Sequence, residues 1–405
     1  LALLCIALFK EVLPMSTPAF KPTQERLDIL DILRGFALFG VLMVNLVDFS
    51  SDAFDPSYVK PDWNSLNLLA DWGTKLLFEA KFYLLFGFLF GVGFAIQMKR
   101  AEAKGSHFTA FYLRRLAILL VIGLLHATLL WRGDILRLYA VFGVVLLAVR
   151  HLSIRTLLGG ALVCYLLSFV MVGALPGLEE ADAPLAVPSA VRYLESSYWQ
   201  LVEHRATDPI ETLWLIIQVP TVLAVFLVGL ALGRSHILEN LADYHALLRR
   251  WIGPALLVGL AGNLAYVWGW EAKSYWLSSL GIHLGAPALS LAYASAVILG
   301  AQSLRWLAPV GQMALTNYIS HSLICTSLFY GYGLGLYNQV SPLERIGLAV
   351  VIFSGQILLS HAWMHYFRFG PLEWVWRSLT YGERQAWWRT RPTASSAGLP
   401  SPAPQ

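Results

Sequence analysis

Ten runs of mostly apolar residues follow one another along this chain of 405 residues, and little sequence remains between them. A helix needs roughly 20 apolar residues to cross a bilayer. Runs at 30–49, 79–98, 112–131, 135–150, 155–174, 211–233, 251–270, 281–301, 309–330 and 346–367 therefore read as candidate spans. The fourth is short for a full crossing, and the second runs back toward an amphipathic lead-in near Leu66. Hydrophobic residues make up 57% of the chain and charged residues 13%, against about 25% charged in soluble domains. The expected fold is all-α: a polytopic transmembrane bundle of about ten helices, with no room for a separate soluble domain.

Basic residues set the orientation, because short cytoplasmic loops collect Lys and Arg. Lys21 and Arg26 precede the first run, Lys99, Arg100, Lys104, Arg114 and Arg115 lie between the second and third, and Arg234, Arg249 and Arg250 follow the sixth. The alternate loops are poorer, as with Lys60 among Asp52, Asp55 and Asp62. The pattern puts both termini in the cytoplasm, as an even number of spans requires. The net charge of +4 is this bias and leaves no nucleic-acid footprint. Residues 1–25 form an N-terminal lead, 26–382 the membrane domain and 383–405 a cytoplasmic tail, partly disordered where Pro, Ser and Ala dominate. Residues 1–14 lack the charged start and cleavage site of a signal peptide and read as a mis-set translation start before Met15. Cys5, Cys164 and Cys325 show no paired spacing, which argues against a disulfide framework or zinc.

The first span carries an arginine inside it. Eleven residues separate Arg34 from Asn45, which brings them within roughly 20° of each other around the helix, about 16 Å apart along it. An ionisable group facing lipid costs about 2.5–3.5 kcal/mol or more, so this face looks into protein or water. In the third span, His126 lies about 18 Å up the axis from Arg114, in the outer half of the membrane. An imidazole there can exchange a proton near neutral pH, or it can be a hydrogen-bonded structural histidine. Asp134 reads as the N-cap of span four; a tight turn would also let it orient His126.

In span nine, Asn317 and His321 are four apart and share a face, either as helix-to-helix glue or as the lining of a substrate cavity. His361 and His365 have a spacing that can hold a metal, but the glutamate of a zincin is absent, so no metal site is expected. Gly87, Gly91 and Gly93 suit close helix packing.

The segments RLDILDILRGFALFGVLMVN (26–45), KFYLLFGFLFGVGF (81–94), RRLAILLVIGLLHATLLWRGDILRLYAVFG (114–143), GQMALTNYISHSLI (311–324) and FGPLEWVWRSLTYG (369–382) together resemble the YeiB-like family of bacterial multi-pass membrane proteins, the domain of unknown function 418. That family is grouped with the transmembrane acyltransferases. The resemblance implies ten helices in the bacterial cytoplasmic (inner) membrane that pass an acyl group from cytoplasmic acyl-CoA to a hydroxyl or amine of an envelope carbohydrate. The acyltransferase-3 group places a histidine eleven residues after the arginine of LRG, where this chain has Asn45. The heparan acetyltransferase group places a histidine soon after the first helix, and residues 46–106 contain none. His126 is the best substitute, and His321 the next.

Two functions follow. In an acyltransferase, His126 deprotonates the acceptor with Asp134 orienting it, Arg34 stabilises negative charge, Asn45, Asn317 and His321 bind substrate, and Arg114 and Arg115 attract the phosphates of acyl-CoA. The alternative is a transporter, flippase or sensor passing a small or lipid-linked solute through the same polar core.

Overall fold

Inside a bilayer there is no water to satisfy backbone N–H and C=O groups, so long apolar runs resolve into helices. The computed structural model describes residues 24–51, 64–105, 108–174, 189–207, 209–235, 237 and 240–389. In chain order the helices are α1 (Gln24–Ser50), α2 (Ser65–Leu77), α3 (Lys81–Ala103), α4 (Phe108–Leu129), α5 (Leu136–Val149), α6 (Ile154–Ala174), α7 (Ser189–Glu195) and α8 (Tyr198–Thr207). They continue with α9 (Pro209–Arg234), α10 (His245–Glu271), α11 (Tyr275–Leu299), α12 (Ala308–Gln312), α13 (Ala314–Phe329), α14 (Pro342–Tyr366) and α15 (Pro371–Tyr381). The chain is an all-α, multi-pass membrane protein.

Each of the ten apolar runs holds a helix, but not each is long. Seven helical stretches among the described residues have the length and composition to cross a membrane. Two of the remaining three are short: α5, with 14 residues, is about 21 Å long, and α13, with 16, about 24 Å, against a hydrocarbon core of about 30 Å; the third, α9, is a 26-residue helix. The expected lead at 1–25 lies outside the described residues up to residue 23, as does the tail from 390 onward; residues 383–389 fold back, and Arg389 N donates to Tyr366 O.

The helix α1 is the axis of the bundle. Leu38, Leu42 and Leu46 are buried against α3, α13 and α14. Around it, α4, α10 and α14 turn apolar side chains outward, such as Val121, Leu257 and Leu358, where lipid covers them. Small residues bring helices together, as their spacing in α3 predicts. A Cβ on Gly91 would lie 2.3 Å from Phe226 O, and one on Gly229 would lie 2.2 Å from Phe88 O, so α3 and α9 touch backbone to backbone.

One break was not anticipated. The residues Phe78, Glu79 and Ala80 interrupt the helix between α2 and α3, and Ala80 takes a left-handed conformation with φ 68°. Lys81, fully buried, donates through Nζ to Lys75 O at 2.9 Å and so satisfies a carbonyl at the open end of α2. Tyr266 donates its hydroxyl to Glu79, and Ser290 donates to Lys81 O at 2.8 Å. On α1 the neighbouring level is Gly40, whose missing side chain makes room for the Phe82 ring. Two ionisable groups therefore sit about halfway along the central helix.

Candidate functional site

The buried face of α4 runs through Leu116, Leu119, Gly123 and His126, residues three and four apart. Gly123 shapes what comes next. A Cβ there would lie 2.9 Å from Asp134 Oδ1 and 2.8 Å from Arg137 N, so only glycine lets the loop after α4 fold back against the helix. That loop delivers Asp134 to His126: Oδ2 is 2.7 Å from Nδ1. Oδ1 accepts the Arg137 N–H at 2.8 Å, and the Arg137 guanidinium stands 3.4 Å from it. Asp134 is not itself the N-cap expected of it, which is Ile135; one residue earlier, it accepts a first-turn N–H of α5 while its other oxygen meets the His126 ring. On the other side of the ring, Nε2 is 2.8 Å from Ser322 Oγ of α13. A carboxylate only accepts, so Nδ1–H is the donor to Asp134, and a ring whose one proton sits there accepts the Ser322 hydroxyl hydrogen bond at Nε2.

These three side chains are sealed in: His126 and Asp134 are 2% exposed and Ser322 is 1% exposed. The seal is the loop itself. Trp131 lies edge-on to the imidazole, with ring centroids 6.5 Å apart, and packs on Phe49 at 4.3 Å. Its Nε1 donates to Asp48 Oδ2 at 3.0 Å, and Arg132 lies 3.4 Å from the other Asp48 oxygen. Tyr318 stacks beside His126 at 5.2 Å and accepts the Ile135 N–H at 3.4 Å. Because His126 is three residues from the end of α4, about 5 Å along the axis, only this short loop separates the site from the end of the bundle.

The remaining expected residues divide between three places. Arg34 forms an ion pair with Asp31 at 2.6 Å, far down α1. Asp48, the α1 residue that holds Trp131 and Arg132 of the loop above His126, is fourteen residues further on, about 21 Å away; Arg34 is therefore not gathered with His126. Asn45, half-buried, sits one turn below Asp48. Asn317 donates to Val310 O at 3.1 Å and to Ser360 Oγ at 3.0 Å. His321 lies 2.7 Å from Gln356 Oε1, while Gln356 Nε2 donates to Asn317 O and Ser320 Oγ. Asn317 and His321 thus tie α13 to α14, the helix-to-helix alternative of the two. His321 and Ser322 are neighbours in sequence but face different partners, and Ser322 was overlooked for that reason.

At the opposite end of α4, Arg115 stacks on Trp376 at 3.6 Å, and Trp376 Nε1 donates to Arg115 O. Arg114 is exposed and lies beside Gly382. Glu373 of α15 accepts the N–H groups of Leu315 and Thr316 at 2.6 and 3.1 Å and the Thr316 hydroxyl at 2.6 Å. It caps the start of α13 as an anion. Burial pushes its carboxyl above the ordinary 4.5, opposed by the hydrogen bonds from Thr316 and Leu315. The sequence signal for Glu373 was the GPLEW block. His361 is exposed and bonds the Trp306 carbonyl at 2.8 Å, and His365 packs edge-on against Tyr366.

Residues 232–383 match the family described as a protein of unknown function, DUF418. The chain is 33% identical over 391 residues to the uncharacterized protein YxaH of Bacillus subtilis (strain 168), an alignment covering 89% of this chain and 95% of that protein. It is 31% identical over 387 residues to the uncharacterized protein YeiB of Escherichia coli (strain K12), covering 88% and 97%. A third relative is an uncharacterized 39.9 kDa protein from the amylase 3' region of Bacillus acidopullulyticus, 30% identical over 368 residues, covering 89% and 95%. No solved structure matches the chain.

Proposed function

The chain belongs to the YeiB-like DUF418 family of multi-pass membrane proteins, and from that premise we propose that it is an acyltransferase of the bacterial cytoplasmic membrane. One observation carries the proposal. A histidine near the outer membrane surface is fixed at Nδ1 by a buried carboxylate and presents Nε2 to a hydroxyl. That is the geometry of a general base: the carboxylate holds the tautomer and orientation, and the free nitrogen takes a proton from an attacking group.

The inner end of the same helix supports a donor site. Arg114 and Arg115 lie eleven or twelve residues below His126, about 16–18 Å along α4, a span suited to the extended arm of acyl-CoA. In this reading the arginines bind the phosphates, Arg34 adds positive charge on the inner side, and Asn45 contacts substrate below the Trp131 loop. The acceptor, a hydroxyl or amine of an envelope carbohydrate, approaches from outside once that loop lifts.

The test is acyl transfer across the membrane. Inside-out vesicles receive labelled acyl-CoA outside and an acceptor sugar in the lumen, and product is measured for the native chain and for His126→Gln. The expected result is transfer that His126→Gln slows by about 10²–10⁴-fold. Full transfer by the variant excludes the role given to His126.

The break between α2 and α3 favours a second reading, a transporter or flippase. Interrupted helices with ionisable groups near the midplane are the usual architecture of a transport site, and Lys81 and Glu79 stand at such a place. Lys81→Met then abolishes solute movement while leaving acyl transfer intact; the reverse pattern rules this reading out.

A further inference from the structure

The position of Ser322 adds a step. A base that acts directly on an incoming acceptor needs its free nitrogen empty. His126 Nε2 already has a partner, the Ser322 hydroxyl at 2.8 Å, and its other nitrogen is committed to Asp134 at 2.7 Å. The proton that His126 is placed to take is therefore that of Ser322. The three groups come from three separate pieces of chain, α13, α4 and the loop before α5. They line up as a hydroxyl, an imidazole and a carboxylate in hydrogen-bonding sequence, the arrangement that activates a serine for attack on a carbonyl.

Helix-to-helix glue can use a single hydrogen bond, as His321 and Gln356 do here. It does not require a carboxylate behind the ring. The surroundings also suit an acyl chain. Leu125 and Leu323, the residues next in sequence to His126 and Ser322, are 53% and 54% exposed, so apolar outer faces flank the buried hydroxyl on both helices.

We infer that Ser322 is the nucleophile of a double-displacement acyl transfer, holding the acyl group as an ester between donor and acceptor; this rests on the acyltransferase reading above. In the first half, Ser322 Oγ attacks the thioester carbonyl as His126 takes its proton. The carbon–sulfur bond breaks, and the leaving thiolate takes that proton from the imidazolium, giving free CoA. In the second half, His126 takes a proton from the acceptor hydroxyl or amine, which attacks the ester carbonyl. The carbon–oxygen bond to Ser322 breaks, and Oγ recovers its proton from His126. Asp134 holds the ring throughout and exchanges no proton. Atoms and charge balance with acyl-CoA and acceptor as the only co-reactants.

The experiment uses the full chain in lipid nanodiscs without acceptor. Acetyl-CoA, butyryl-CoA and palmitoyl-CoA are supplied in turn, and a fluorophosphonate probe serves as a donor-independent label for an activated serine. The expected result is one acyl group per chain on the peptide containing Ser322, with a stoichiometric burst of free CoA, and fluorophosphonate labelling of the same peptide. Ser322→Ala abolishes both. Ser322→Cys restores an adduct as a hydroxylamine-sensitive thioester, and His126→Gln slows adduct formation by about 10²–10⁴-fold. Thermal unfolding of Ser322→Ala confirms that it is folded. If the vesicle assay shows transfer while no adduct forms and Ser322→Ala retains that transfer, the inference falls and direct transfer stands. If neither adduct, label nor transfer occurs, the inference and the acyltransferase reading fall together.

Discussion

The Asp134 carboxylate serves two partners with two oxygens, and substitution separates the contributions. Oδ2 holds His126 at 2.7 Å and Oδ1 accepts the Arg137 N–H at 2.8 Å, both out of contact with solvent. In Asp134→Asn the single oxygen can keep one of the two bonds, and the amide N–H can meet His126 only in the opposite tautomer, with Nε2 as the donor. In Asp134→Ala both go, His126 keeps a buried unpartnered N–H, and α5 loses its first-turn acceptor. A hydrogen bond involving a charged group contributes about 1.5–3 kcal/mol, and a cap about 0.5–2 kcal/mol. Measured interhelical hydrogen bonds in membranes average lower, about 0.6 kcal/mol, because the unfolded reference state also finds partners. Asp134→Asn is therefore expected to lose about 1–2 kcal/mol and Asp134→Ala about 2–4 kcal/mol. Reversible unfolding in mixed micelles measures both, and a double-mutant cycle with His126→Ala isolates the pair. A coupling of about 1–3 kcal/mol is expected; a value below about 0.5 kcal/mol, the limit of additivity for independent sites, refutes the argument.

Gly123→Ala places a methyl group against Asp134 Oδ1 and Arg137 N; it is expected to cost about 1–3 kcal/mol, read from unfolding in the same micelles, and a cost near zero contradicts the close fit. Gly91→Ala and Gly229→Ala push α3 and α9 apart at one contact, so each costs about 1–3 kcal/mol and the double variant costs clearly less than the sum, read from the same unfolding assay. Glu373 contributes to pH dependence with a defined sign. Its raised folded value means that the native state binds the proton more tightly than the unfolded chain, so its contribution is full below about 4.5 and is lost as pH rises through the higher folded value. Melting temperature against pH should lose that downward component in Glu373→Gln, and an unchanged profile contradicts the assignment.

The helical layout was legible because each run reports its own solvent: twenty apolar residues admit few alternatives to a helix. The His126–Asp134 contact was legible for a similar reason, since eight residues and a tight turn leave the side chains close. Ser322 was not, because its partner lies 196 residues away and the helical face that the polar pattern of span nine emphasised, Asn317 with His321, points toward α14 instead. The α2–α3 break escaped as well. Glu79 and Lys81 stand at the end of an apolar run, where charged residues ordinarily mark the membrane edge, and only the packing of Gly40, Tyr266 and Ser290 around them reveals their depth. Arg34 misled in the opposite way: a shared helical face with Asn45 said nothing about the 21 Å that separates it from Asp48.

The helix α15 has a mechanical consequence. At one end of the bundle it grips α4 through Trp376 on Arg115 and grips α13 through Glu373 at its first turn. Farther along, those same two rods are pinned to each other by His126 and Ser322. Three joints and three stiff members, the two rods and α15, make a closed loop, in which tilting one member loads the other two. A push on Arg115 at one end of α4 is thereby geared to the spacing between an imidazole and a hydroxyl at the other.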